Sequence, residues 1–201
     1  MTKEKSKIDL MREIRTEVAE AKDSPLYEYR TENNYFPVIG QGSHNANIMF
    51  IGEAPGKNEA EKGIPFCGAA GKFLDALLES INLDREAVYV TNIVKDRPPG
   101  NRDPLPQEIE FYSSFLDRQI DIIQPRVIAT LGRFSMTYLL NKFDHGMKGG
   151  SISELHGKEL NIETSYGSIS FLPLYHPAAA LYNGSMRDTL LEDFKILKKY
   201  T

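Results

Sequence analysis

Four apolar runs constrain this chain more than anything else in it: residues 47–52 (NIMFIG), 87–94 (AVYVTNIV), 126–132 (RVIATLG) and 169–175 (ISFLPLY). They are rich in β-branched and aromatic residues, and the first three are apolar almost without a break. A strand with no polar face must be covered on both sides, the condition of a parallel strand inside a layered fold. The segments between the runs follow a helical period. Leu74, Leu77, Leu78 and Ile81 fall at i, i+3, i+4 and i+7. Ile109, Tyr112, Leu116, Ile120 and Ile123 keep to steps of three and four, with Asp103 expected as the N-cap and Pro104 at the first helical position. Further helices are expected over residues 8–21, 134–140 and 187–199. Strands alternating with helices predict an α/β three-layer sandwich, with a central four-stranded parallel sheet flanked by helices.

The chain has 201 residues, enough for one domain with a core of its own. A single domain over residues 1–201 is expected, with residues 1–45 forming an N-terminal helix and lead-in. The lone cysteine, Cys67, cannot close an internal disulfide, and the opening MTKEKSKIDL lacks the apolar core of a signal peptide. No run reaches membrane-spanning length. An intracellular protein with no membrane partner, acting as a monomer, is expected. The net charge of −4 argues against a nucleic-acid coat protein but leaves room for an enzyme that touches DNA through one patch. Lys95, Arg97 and Arg102 gather around PPGN as such a patch, whereas Lys195, Lys198 and Lys199 read as a solvated helix end.

In parallel sheets ligands bind beyond the carboxyl ends of the strands. The unusual loops of this chain lie there: GEAPGKNE after the first run, Asn92 and KDRPPGNRDP at and after the second, and HPAAALYNGSMR after the fourth. The stretch of residues 51–71, IGEAPGKNEAEKGIPFCGAAG, is far longer than a βα connection needs, so a functional loop is expected. Familiar signatures fail in it. GAAGKF has Phe73 where a P-loop needs Ser or Thr, no GxGxxG follows a strand, GxSxG is absent, and one cysteine with four scattered histidines gives no zinc spacing. Glu53, Phe66, Asn92 and His176 remain, all at or just past strand ends. A carboxamide can donate and accept in one plane and so read a base edge, a phenyl ring can stack on a flat heterocycle, and an imidazole can donate to an oxygen that gains charge.

These motifs resemble the uracil-DNA glycosylase superfamily, and within it the family 4 enzymes. GEAPGKNE is similar to that family's first motif, GIPFCGAAGKFLD to its stacking-phenylalanine segment, VTNIVKDRPPGNRDPLPQE to its asparagine strand and loop, and YHPAAALYNGSMR to its His-Pro motif. The resemblance runs from about Ala46 to the C-terminal helix. It implies base-excision repair of uracil-containing DNA: a hydrolase that flips deoxyuridine out of the stack and breaks its N-glycosidic bond, leaving an abasic site. Asn92 would read the uracil edge, Phe66 would stack on it, and His176 would stabilise the departing anion. Glu53 or Glu59 would position water or the oxocarbenium-like sugar, with Asn101 a second candidate for orienting the water; Glu59 is also a candidate guard against thymine's methyl group. Ala180, Leu181 and Tyr182 would wedge into the duplex, and Lys95, Arg97, Arg102 and Arg187 would meet phosphates. The start of the helix after TLGRFS is a further phosphate candidate.

The family 4 resemblance also implies a [4Fe-4S] cluster on four cysteines. The matching positions here are Ala21, Ser24, Asp96 and Tyr112, none of which supplies a thiolate, so no cluster and no other cofactor is expected. Two alternative readings stay open: a glycosylase preferring hypoxanthine or xanthine, and a non-catalytic uracil-DNA binder.

Overall fold

The computed structural model describes residues 5–201; the first four residues, which begin the stretch read above for a leader, lie outside the described residues. The chain opens with α1 (Lys7–Glu20), α2 (Tyr27–Glu32), the two-residue β1 (Gln41–Gly42) and β2 (Ile48–Gly52). Then come α3 (Lys57–Lys62), α4 (Ala69–Ser80), β3 (Tyr89–Asn92), α5 (Pro106–Ile123), β4 (Val127–Leu131) and α6 (Arg133–Lys142). It closes with α7 (Ile152–Leu155), β5 (Leu160–Thr164), β6 (Gly167–Leu174), α8 (Ala179–Tyr182), α9 (Gly184–Phe194) and a 3-10 segment, Lys195–Tyr200.

The sheet has six strands in the order β1-β3-β2-β4-β6-β5, not the four expected. Its four central strands are parallel, and β1 and β5 pair antiparallel at the edges. The edges escaped sequence reading because neither makes an apolar run. Strand β1 is too short, and β5 buries only Ile162 fully. Strand β5 forms a hairpin with β6, which therefore begins at Gly167 rather than at Ile169.

The three layers follow from the period-2 alternation of the central strands. Ile48 and Phe50 of β2, Val90 of β3, Val127, Ala129 and Leu131 of β4, and Leu172 and Leu174 of β6 face α4 and α9. Met49, Ile51, Tyr89, Ile128 and Phe171 point the other way, into α1, α5 and α6. Each strand thus supplies both cores, the physical origin of the unbroken apolar runs.

Two expected boundaries shift for identifiable reasons. Helix α5 starts at Pro106 rather than at Pro104, because Glu108 Oε2 accepts the Leu105 N–H at 2.8 Å, capping the helix from its own first turn. Asp103 instead pairs with Arg133. The C-terminal helix begins earlier than residue 187, where Asn183 Oδ1 accepts the Ser185 N–H at 3.1 Å, and gives way to 3-10 turns after Phe194. The long connection of residues 51–71 also holds α3, too short and polar to show a stripe, ended by Gly63 in the left-handed region at φ 69°.

Candidate active site

The carboxyl ends of β2, β3 and β6 open onto one cleft of about 360 Å³, within the roughly 300–1,000 Å³ of small-molecule sites. Glu53 follows β2, Asn92 ends β3, and His176 lies two residues past β6; Glu59, Phe66 and Asn101 complete the wall. All six pocket candidates named from the sequence meet in this one place.

Backbone geometry builds the floor. Gly52 has no side chain where a Cβ would stand 2.3 Å from Asn92 Oδ1 and 2.8 Å from Phe66 Cζ, so a bare backbone lets amide and ring approach together. Phe66 itself has φ 52°, a costly left-handed value for a large residue. It is held there by α4, whose Gly71 leaves room for the Phe66 carbonyl 1.6 Å from where a Cβ would sit. The Phe66 and His176 rings lie 5.6 Å apart at 28°. Asn92 Oδ1 is buried without a hydrogen-bond partner among the described residues. Such an atom costs about 1–3 kcal/mol unless something supplies a donor.

The ionisable groups are set by desolvation. Burial pushes the His176 imidazole down to about 4, with Glu59 opposing weakly. The ring is therefore neutral at ordinary pH. Its Nδ1 accepts the Ala178 N–H at 3.1 Å, which places the proton on Nε2. Glu53 moves the other way, up to about 7, first by burial and then by nearby Asp103, with Arg133 pulling back. Sequence reading missed the influence of Asp103 and Arg133, which come from the loop before α5 and the start of α6 and carry no shared motif. Glu59 Oε1 accepts the Gly68 N–H at 2.8 Å, so this carboxylate braces the start of α4. Burial and the adjacent Glu59 raise the Cys67 thiol, which keeps it protonated.

Residues 39–197 match the family described as Uracil DNA glycosylase superfamily. The chain belongs to that superfamily. It is similar to the type-4 uracil-DNA glycosylase of Sulfurisphaera tokodaii, with 46% identity over 96% of this chain and 85% of the relative. The type-4 uracil-DNA glycosylase of Archaeoglobus fulgidus is 46% identical over 83% of this chain and 82% of its own length. That of Saccharolobus solfataricus is 46% identical over 92% of this chain and 84% of its own.

The residues expected to meet DNA do not all reach the surface of this glycosylase fold. Lys95 is a correction: it is fully buried, and its Nζ donates to Thr91 Oγ1 at 2.8 Å, the Asn92 carbonyl at 2.6 Å and Gln119 Oε1 at 2.6 Å. Burial drives its pKa well below the ordinary lysine value. Three converging acceptors drew this side chain inward, and no local pattern announces that. Arg97 organises its own loop, donating from Nε to Asn101 Oδ1 at 2.7 Å and from Nη1 to the Tyr35 hydroxyl at 2.7 Å. Arg102 stands at the cleft rim in a two-pronged pair with Glu108. Arg187 is exposed, with its guanidinium over the Phe73 ring at 5.0 Å. Of the wedge candidates on α8, Ala180 packs inward against the core, while Leu181 is 45% and Tyr182 91% exposed.

The cluster implied by the family 4 resemblance meets a donor set that does not fit it. A methyl group at Ala21, a hydroxyl at Ser24, a carboxylate at Asp96 and a phenol at Tyr112 offer no thiolate, and three of these groups are bonded to one another.

Proposed function

We propose that the chain is a uracil-DNA glycosylase that extrudes deoxyuridine from DNA and hydrolyses its N-glycosidic bond. The observation that carries this reading is Asn92 Oδ1, which has no hydrogen-bond partner among the described residues and is buried in a cleft beside a phenyl ring and a neutral imidazole. Uracil offers an N3–H donor flanked by two carbonyl oxygens. Asn92 Oδ1 accepts the N3–H and its amide nitrogen donates to O4, a pairing that cytosine, with an acceptor at N3 and an amine at C4, reverses. Phe66 covers the ring face.

Bond cleavage leaves the C1′–N1 electron pair on uracil, whose charge spreads to O2. His176, protonated on Nε2, donates a hydrogen bond there and keeps its proton, since an imidazole pushed down to about 4 stabilises the anion as a neutral donor. Glu53, when ionised, faces the oxocarbenium-like sugar, orients the water that adds to C1′ and accepts the proton that this water loses. Glu59 is engaged by Gly68, which favours Glu53 for this role. Asn101 has its Oδ1 held by Arg97, leaving the amide nitrogen for the same water. Leu181 and Tyr182 enter the space left in the duplex, and Arg102 and Arg187 meet the backbone. No iron–sulfur cluster takes part, because the four positions carry no sulfur ligands.

Oligonucleotides carrying a single uracil, hypoxanthine, xanthine or thymine test the reading. Uracil is released, and His176→Ala and Asn92→Asp each lose most of that rate. Cleavage of none of the four replaces the enzyme reading with that of a binding protein, and near wild-type rates in both variants remove the assigned roles.

A further inference from the structure

Four buried polar residues from separate segments meet on the far side of the loop that follows β3. Arg30 of α2 donates through Nη1 to Asp96 Oδ2 at 3.0 Å and Oδ1 at 3.3 Å. The same guanidinium donates to the last-turn carbonyls of α1, Val18 at 3.0 Å and Ala19 at 2.8 Å. The Tyr112 hydroxyl of α5 donates to Asp96 Oδ2 at 2.6 Å. Its oxygen is bonded to Ser24 Oγ, and with the phenol proton committed to Asp96 that bond runs from serine to tyrosine. Ser24 Oγ in turn accepts the Leu26 N–H at 3.2 Å. All four residues are buried. The chain of donors ends on a carboxylate faced by a guanidinium, so the charges are paired and each hydroxyl has a partner.

Three of these residues, Ser24, Asp96 and Tyr112, stand at positions where the family 4 resemblance places cluster cysteines. The fourth such position, Ala21, caps α1 and accepts the Ser24 N–H through its carbonyl at 3.3 Å. We infer that Arg30, Ser24, Asp96 and Tyr112 form a metal-free clasp that replaces the iron–sulfur centre and positions the loop between the uracil reader Asn92 and the water-orienting Asn101. The clasp joins α1, α2 and α5 to one residue, Asp96, in the middle of that loop. On the neighbouring residue, the Lys95 carbonyl accepts the Val38 N–H at 2.7 Å and Nζ holds the Asn92 carbonyl, so Lys95 and Asp96 fix the loop from both sides. Three residues beyond Asp96 the chain turns through Pro99–Asn101 to present Asn101 to the cleft. The positioning role rests on the function proposed above.

The test combines kinetics with metal content. Tyr112→Phe and Ser24→Ala each delete one oxygen, and Arg30→Lys keeps the charge but loses the fork. Tyr112→Phe and Arg30→Lys are expected to lower kcat for uracil excision by about tenfold or more, with KM for DNA nearly unchanged, at temperatures where circular dichroism shows folded protein. Ser24→Ala, farthest from Asp96 in the chain of donors, has a smaller effect in the same direction. Should Arg30→Lys fail to fold, Tyr112→Phe and Ser24→Ala carry the test alone. Unchanged kcat in folded Tyr112→Phe and Ser24→Ala, even with lowered thermal stability, overturns the positioning role. Wild-type protein incubated anaerobically with iron and sulfide is expected to hold no stoichiometric iron and no iron–sulfur absorbance, whereas A21C/S24C/D96C/Y112C gains both. Stoichiometric iron in the wild type overturns the replacement. If the wild type releases no base at all, the proposed function fails and the positioning role with it, while the iron measurement still decides whether the clasp stands in for the cluster.

Discussion

Replacing Glu53 with glutamine isolates a conflict between stability and catalysis. In the unfolded chain this carboxyl ionises near 4.5, and in the fold only near 7. Between those values the unfolded chain has released a proton that the folded one retains, so the fold loses stability as pH rises, and the loss is complete above about 7. A move from 4.5 to about 7 corresponds to about 3.4 kcal/mol at full value. Glu53 borders an open cleft and the Asp103–Arg133 pair beside it is well exposed, so solvent screening reduces this to about 1–2 kcal/mol. Glu53→Gln removes the titration. Its stability relative to wild type therefore improves by about 1–2 kcal/mol between pH 4.5 and pH 8, read from urea unfolding at the two pH values. Over the same range the wild-type excision rate rises as the carboxylate forms, while Glu53→Gln stays slow and flat. A stability difference that does not change with pH would refute the account of Glu53, whatever the activity shows.

Gly52→Ala places a methyl group against Asn92 Oδ1 and Phe66 Cζ. Uracil excision is expected to fall by about a hundredfold, with a stability loss of about 1–3 kcal/mol by thermal unfolding; near-normal kcat/KM would mean that the two side chains need not approach as closely as they do. Lys95→Met removes a buried amine whose proton affinity the fold suppresses. Because the unfolded chain then binds more protons, wild-type stability gains from Lys95 as pH rises toward the ordinary lysine value of 10.5, and urea unfolding of the methionine variant at alkaline pH should lack that gain. Leu181→Ala with Tyr182→Ala alters exposed side chains, so stability moves by only about 0.5 kcal/mol. Excision from duplex DNA falls more than excision from single strands, and an equal loss on both substrates would argue against a wedge.

The central strands were legible because an apolar run is a local property that both faces of a covered sheet impose. The edge strands were not, since Gln41–Gly42 has no length and Leu160–Thr164 keeps polar residues toward solvent. The pocket residues were legible through topology: side chains just past the ends of parallel strands have one rim to share. The errors came from residues whose partners lie far away in sequence. Asp103 followed by proline looks like a cap until Glu108 takes that work and Arg133 takes Asp103. Lys95 in a Pro- and Gly-rich loop looks solvated until Gln119, 24 residues on, supplies the third acceptor.

The same distinction separates the two sides of the loop after β3. Behind it, Lys95 with Thr91 and Gln119, and Asp96 with Arg30 and Tyr112, form buried networks in which the polar atoms find partners. In front of it, the polar atoms of the cleft are left wanting: Asn92 Oδ1 has no donor among the described residues, His176 has lost its charge to burial, Glu53 keeps its proton up to about pH 7, and Phe66 sits in a left-handed conformation that costs about 1–3 kcal/mol. Thr91 and Asn92, adjacent on β3, point into opposite environments by the pleat of the strand alone. A satisfied network on one face therefore holds rigid the backbone that carries an unsatisfied amide on the other, and an unsatisfied amide held rigid discriminates between a base that supplies the missing donor and one that does not.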